Sequence, residues 1–270
     1  SSTGNLARDL REAGDYEESA ALLSSTYEAY KEVLGRDFPD TLSTAKSLAV
    51  SLRKAGLLDD AIRLSTNTRD RYTEKYPDLV TPDILACTLN LAADLYATGE
   101  RDSALDLAEE VMREYRIAPG VRHPATLAAE NNLGIFLRGA GQLERAERVL
   151  TDNLEVLREV LGGTHPFTLS CQVNLANVLA ESGRPLLAEE LERQAASAFE
   201  LRLGSHHPET VICRANLAVT FGDTGRPQES RLAWQTADEQ LSRLLGVDHP
   251  YTVAVREHKR IYRDLEPPAV

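Results

Sequence analysis

Four histidines, His123, His165, His207 and His249, recur every 42 residues, and each is followed at once by proline. Imidazoles at a fixed spacing are first of all candidate metal ligands. Three cysteines, Cys87, Cys171 and Cys213, each stand three residues before an asparagine, and those asparagines, with one more, form the set Asn90, Asn132, Asn174 and Asn216. A primary amide carries a donor and an acceptor side by side, so a row of them can grip a peptide backbone.

Geometry weighs against a shared metal. If the 42-residue spacing marks stacked helical units, equivalent positions lie about 10 Å apart, whereas zinc needs nitrogens converging at about 2.0 Å. The histidines are better read as a turn device before proline, with the ring packing on or bonding to the neighbouring loop. The cysteines form no CxxC pair, which fits free thiols in a reducing compartment, and their common register makes them small residues facing a core. There is no GxxxxGK[ST] phosphate loop, no GxGxxG, no HExxH and no GxSxG. The expectation is a non-catalytic chain with no metal and no cofactor.

The elements that must position these residues follow from a repeat. Gly14, Gly56, Gly99, Gly141, Gly183 and Gly225 are separated by 42 or 43 residues, and Pro39, Pro82, Pro124, Pro166, Pro208 and Pro250 keep the same register. From each proline to the next glycine runs one helical pattern, with Leu127, Leu133, Phe136 and Leu137 as its apolar face in the fourth unit. A second helix follows the glycine, traced there by Leu143, Ala146, Leu150, Leu154, Leu157 and Leu161. Five residues beyond each glycine stands a small residue, Ser19, Ala61, Ala104, Ala146, Ala188 or Ser230, where the two helices must cross closely. The pattern predicts an all-α solenoid of six helix-turn-helix repeats, with junctions near 38, 81, 123, 165, 207 and 249. One domain is expected over 1–265, closed by a capping helix from Pro250 to about Asp264, with 266–270 a tail in which Pro267 and Pro268 end regular structure.

The runs NLAADLYATGERDSA, NLGIFLRGAGQLERA and NLANVLAESGRPLLA resemble the tetratricopeptide repeat, in the longer unit typical of kinesin light chains; the second unit has Ser47 in place of the asparagine. The LG..HP.TL signature is similar to arrays in actinobacterial proteins that join a nucleotide-binding switch domain of the NB-ARC type to repeats, including those of FxSxx-COOH peptide-modifying systems. The resemblance implies a right-handed superhelix whose concave groove binds a peptide or partner segment. It places Asn90, Asn132, Asn174 and Asn216 in that groove, with Asn131 and Asn177 beside them. Asparagine in mid-helix costs about half a kcal/mol relative to alanine, and four such residues call for an offsetting contact. The other groove positions are Arg8, Arg11, Lys46, Arg53 and Lys54 at a basic end, Glu181 and Asp223 at an acidic end, and Tyr96 and Arg138 between as anchor and bridge. The lysine that the chaperone-binding subclass carries four residues before its asparagine is absent, since Ala86, Ala128, Ser170 and Ile212 stand there.

A formal net charge of -12 excludes nucleic acid and anionic membrane as general partners, and no apolar run is long enough to span a bilayer. The first residues carry no secretory signal, so a cytoplasmic location is expected. The chain begins at Ser1 rather than methionine, which suggests a segment of a longer protein with a partner domain upstream. Three readings of function remain open: a scaffold that captures a peptide, the ligand-sensing or autoinhibitory repeat region of a STAND-type signalling ATPase, or an accessory protein of a peptide-modification system.

Overall fold

The computed structural model describes residues 2–77 and 79–267, so the expected stop at Pro268 and the end of the 266–270 tail lie outside the described residues. Among the described residues there are thirteen α-helices and no strand. They are α1 (Ser2–Ala13), α2 (Tyr16–Val33), α3 (Pro39–Lys54), α4 (Leu58–Lys75), α5 (Pro82–Thr98), α6 (Arg101–Ile117), α7 (Pro124–Gly139), α8 (Leu143–Val160), α9 (Pro166–Glu181), α10 (Pro185–Leu203), α11 (Pro208–Asp223), α12 (Pro227–Leu245) and α13 (Pro250–Arg256). The first twelve form six helix pairs, as the repeat requires. The terminal helix is present but stops at Arg256, eight residues short of the expected end at Asp264.

The helices group into two compact units. One is Ser1–Val121 with Glu266–Val270 and the other Arg122–Leu265. The boundary falls beside the junction expected near 123.

Proline at the first helical position starts α3, α5, α7, α9, α11 and α13, where its missing N–H costs nothing. The histidine before it caps the helix. In α7, α9, α11 and α13 the residue at the N-cap is His123, His165, His207 or His249, and its Nδ1 accepts the N–H of Ala125, Phe167, Glu209 or Tyr251 at 3.1–3.2 Å. The ring therefore satisfies an orphan donor of its own helix. Each helix pair turns on a glycine of the register; at Gly141 and Gly183 φ is 76° and 78°, a left-handed conformation that a Cβ disfavours.

Helix contact explains the small residues. Ala61, Ala104, Ala146 and Ala188 are fully buried, and the two serines spend their hydroxyls on the partner helix: Ser19 Oγ donates to the Ala7 carbonyl at 2.8 Å and Ser230 Oγ to that of Ala218 at 2.7 Å. The crossing is tight at Gly134 of α7, where an added Cβ would lie 2.5 Å from Leu150 Cγ. All three cysteines are free and buried. Burial pushes the Cys87 thiol up to about 12 and raises Cys171 and Cys213 further, so these groups pack as small apolar residues.

Two outcomes follow from these contacts. Gly134→Ala gains about 1 kcal/mol of helix propensity but forces α7 and α8 apart at a cost of about 1–3 kcal/mol, so urea unfolding should show a net loss of about 1 kcal/mol. A gain would mean that Leu150 yields freely. Burial, and then the nearby Arg202, lower the His165 pKa, so the folded state holds the ring neutral. Its stabilisation is complete above the ordinary pKa of about 6.5 and is lost as pH falls from there through the folded value. The thermal midpoint should therefore drop between pH 7.5 and 5, and by less in His165→Asn, whose amide caps without titrating.

Candidate functional site: an asparagine ladder and the chain it holds

Helix α13 ends in a left-handed turn at His258, φ 58°, with the His258 and Lys259 N–H groups returning to the Val255 and Ala254 carbonyls at 2.9 and 2.8 Å. The His258 ring lies against Trp234. Beyond the turn the chain is no longer helical, and its burial alternates: Ile261, Arg263 and Leu265 are buried while Tyr262 and Asp264 are half-buried. Period two is the signature of extended backbone. Ile261 joins the core of Val211, Ile212, Ala215, Ala237 and Leu241.

This extended segment lies on the predicted asparagines. Asn216 donates Nδ2 to the Ile261 carbonyl and accepts the Ile261 N–H on Oδ1, both at 2.9 Å. Asn174 does the same with Arg263, at 2.9 and 2.9 Å, and Asn132 with Leu265, at 2.8 and 2.7 Å. Asn177 adds a bond to the Ile261 carbonyl and Asn131 one to that of Arg263, each at 2.9 Å. Asn131 also ties the floor together, giving Nδ2 to Asn132 Oδ1 at 3.1 Å and accepting from Asn174 at 2.9 Å. All five side chains are buried.

Each amide thus presents a backbone residue with what the edge of a β-strand presents, one donor and one acceptor in the same sense. Successive rungs serve every second residue, a step of about 6.6 Å in extended chain. Packed helix axes lie about 8–10 Å apart. The side chains of the floor therefore converge, closer together than the helices that carry them.

Charge anchors the root of the segment. Arg260 reaches Glu192 at 2.6 Å, Thr220 at 2.8 Å and Asp223 at 3.0 Å, and Thr220 donates to Glu192 at 2.7 Å. Burial pushes the Glu192 carboxyl above its usual range, and Arg260 opposes that shift. Arg138 pairs with Glu181 and lays its guanidinium 3.8 Å over the Tyr262 ring. Arg263 pairs with Glu209, yet its Nε and Nη1, the Glu209 Oε2 and the Asn177 Oδ1 stay buried without a hydrogen-bond partner. Each unmade bond of this kind costs about 1–3 kcal/mol.

Of the predicted residues, Asn131, Asn132, Asn174, Asn177 and Asn216 meet at residues 261–265, with Arg138, Glu181 and Asp223 around them. Asn90, Lys46, Arg53, Lys54 and Tyr96 belong to the other unit. There Asn90 is buried, its carbonyl accepting from Arg53 at 3.5 Å. A further rung would fall to residue 267, and Pro267 has no N–H to give. Arg53 does not present a free cation, as the basic-end expectation requires: it is 8% exposed and paired with the buried Asp94 at 2.6 Å. Lys46 pairs with Asp83, and Arg11 with Glu266 at 2.6 Å. Arg8 and Lys46 line a cavity of about 460 Å³ with Asn5 and Pro267. Sequence reasoning missed Glu192, Glu209, Thr220, Arg260 and the extended run itself. The signal is the alternation of Ile261, Arg263 and Leu265, the first two of which fall inside the helix expected from Pro250 to about Asp264.

Among the described residues no group of three or more His, Cys, Asp or Glu is placed to hold a metal ion, and no helix is long and apolar enough to cross a membrane. Residues 1–74, 84–158 and 126–200 match the tetratricopeptide repeat family, more than half of the chain. No curated protein matches the sequence. Among solved structures, the chain is similar to the nearly identical TPR-like repeats of a kinesin-light-chain-type protein of Podosopora anserina, with 24% identity, 74% of this chain and 95% of that one covered, and a TM-score of 0.55. A Rap protein complexed with competence and sporulation factor is 14% identical over 94% of this chain and 79% of its own, with a TM-score of 0.64. The Rap conjugation gene regulator of plasmid pLS20, in complex with the Phr* peptide, is 14% identical over 94% and 78%, with a TM-score of 0.63. At these identities the likeness concerns the fold.

The Arg260 anchor generates a prediction. Arg260→Ala strips the counter-charge from a buried carboxylate, a change that costs about 3–5 kcal/mol where the charge cannot neutralise. Glu192 can take up a proton, and a carboxyl whose pKa is raised on folding stabilises below its ordinary pKa and loses that contribution as pH rises. Denaturant titrations should show a larger deficit for the variant at pH 8 than at pH 5. An equal deficit at both would mean that Glu192 keeps its charge without Arg260.

Proposed function

The chain belongs to the tetratricopeptide repeat family, and we propose that it is a protein-binding scaffold that holds an extended peptide or partner segment along the asparagines of α7, α9 and α11. The observation that carries this reading is the pairing of Asn132, Asn174 and Asn216 with both backbone groups of Leu265, Arg263 and Ile261 at 2.7–2.9 Å. Because the amides engage the N–H and C=O that every residue other than proline carries, a segment of different sequence can take the same bonds. Two Rap proteins of similar fold, solved with competence and sporulation factor and with the Phr* peptide, lend support by analogy.

A selection from a displayed library of unstructured peptides, followed by fluorescence anisotropy, tests the assignment. Each neutral hydrogen bond contributes about 0.5–1.5 kcal/mol net. In a chain whose own segment is kept off the ladder by Arg263→Pro and Leu265→Pro, Asn132→Ala with Asn174→Ala removes four such bonds and should weaken selected peptides tenfold or more, while the helical circular-dichroism signal is kept. Selected peptides that bind the double variant undiminished would move the site off this face.

A further inference from the structure

The capture of an extended segment by the ladder leaves one matter to account for: the ladder is already filled by the chain's own residues 261–265. We infer, resting on that reading, that this segment is a resident and displaceable occupant, and that the partner displacing it presents an extended run of aliphatic, any, basic, any and aliphatic residues.

Two observations carry the inference. The bonds to the segment are the generic backbone bonds of a ligand, made by Asn132, Asn174 and Asn216 in equivalent positions, whereas a built-in strap has no need of one rung per repeat. The fit at the centre is incomplete: Arg263 Nε and Nη1, Glu209 Oε2 and Asn177 Oδ1 are buried and unbonded. Glu209 Oε2 and Asn177 Oδ1 belong to the site, and a better-matched segment gains at those two atoms what the resident one forgoes.

The chemistry of the partner is read from what surrounds the segment. The Ile261 and Leu265 sites are buried and bury aliphatic side chains, and Glu209 faces the intervening Arg263 from the first turn of α11. A tethered occupant is present at an effective concentration on the order of mM, so a free segment at micromolar concentration meets a site that is nearly always taken.

The probe is a fluorescent peptide of residues 259–267, added to the full chain and to a variant carrying Arg263→Pro and Leu265→Pro. That variant loses two tail N–H donors and leaves every ladder side chain intact. The proline variant should bind the probe at least tenfold more tightly than the unaltered chain, and adding Asn132→Ala and Asn174→Ala should abolish the gain. A probe with Arg263→Glu should bind at least tenfold more weakly. Equal binding by the unaltered and proline chains, still dependent on the asparagines, overturns displacement and leaves peptide capture standing. Binding indifferent to the asparagines takes down peptide capture itself. Sedimentation showing a concentration-dependent dimer of the proline variant would make the occupant a second copy, and so overturn the external partner.

Hydrogen exchange on the unaltered chain needs no variant. The Arg263 and Leu265 amides should exchange at least tenfold faster than the slowest amides of α9, through an opening that leaves the helices folded. Exchange of these amides only with global unfolding would make the segment a permanent part of the fold and overturn the inference.

Discussion

One amide per repeat, delivered at the step of an extended dipeptide, is the constraint on which the second unit is arranged. Helices cannot pack closer than their side chains permit, yet the rungs must match a backbone that advances about 6.6 Å every two residues. Convergence of the asparagine side chains toward one line reconciles the two lengths. It demands that α7, α9 and α11 hold nearly the same depth and rotation, and the less conspicuous residues serve that end. The histidine caps and the proline after each fix where the first helix of a pair begins. The left-handed glycines fix where the second begins, and Gly134, Ala146 and Ala188 set how closely the two approach.

Most of this was legible in the sequence because it repeats. A glycine and a proline that return every 42 residues locate six helix pairs without reference to any single side chain. The asparagines stand out because a mid-helix amide is unfavourable unless something offsets it, and for Asn132, Asn174 and Asn216 the offset is the backbone of residues 261–265. What stayed hidden does not repeat. Residues after Arg256 have no counterpart elsewhere in the chain, and the helix before them, opening on Pro250 as α3, α5, α7, α9 and α11 open on theirs, invites continuation as a helix. Register likewise assigned Arg53 to the binding face but could not reveal Asp94, which neutralises it from the next helix pair. Ion pairs between repeats depend on rotamers, and periodicity says nothing of those.

In the proposed capture of a partner segment, the ladder separates affinity from selectivity. Backbone bonds to Asn132, Asn174 and Asn216 are blind to sequence, so discrimination falls to the few groups that see side chains: Glu209 opposite Arg263, the aliphatic surroundings of Ile261, and Arg138 over the Tyr262 ring. Arg138 is itself held by Glu181, which limits its appeal to a carboxylate and leaves its face for an aromatic ring. A protein with net charge -12 can in this way keep a local preference for cations without being generally attractive to them.

One rung per repeat gives the proposed displacement a kinetic side. Whichever rung opens first is a toehold: an incoming chain that pairs there can advance along Asn132, Asn174 and Asn216, taking each pair of bonds as the resident chain gives it up. At no stage need more than one rung stand empty. Exchange by such a path avoids the full penalty of exposing five buried amides, and its rate is set by the first rung instead of the sum of all three.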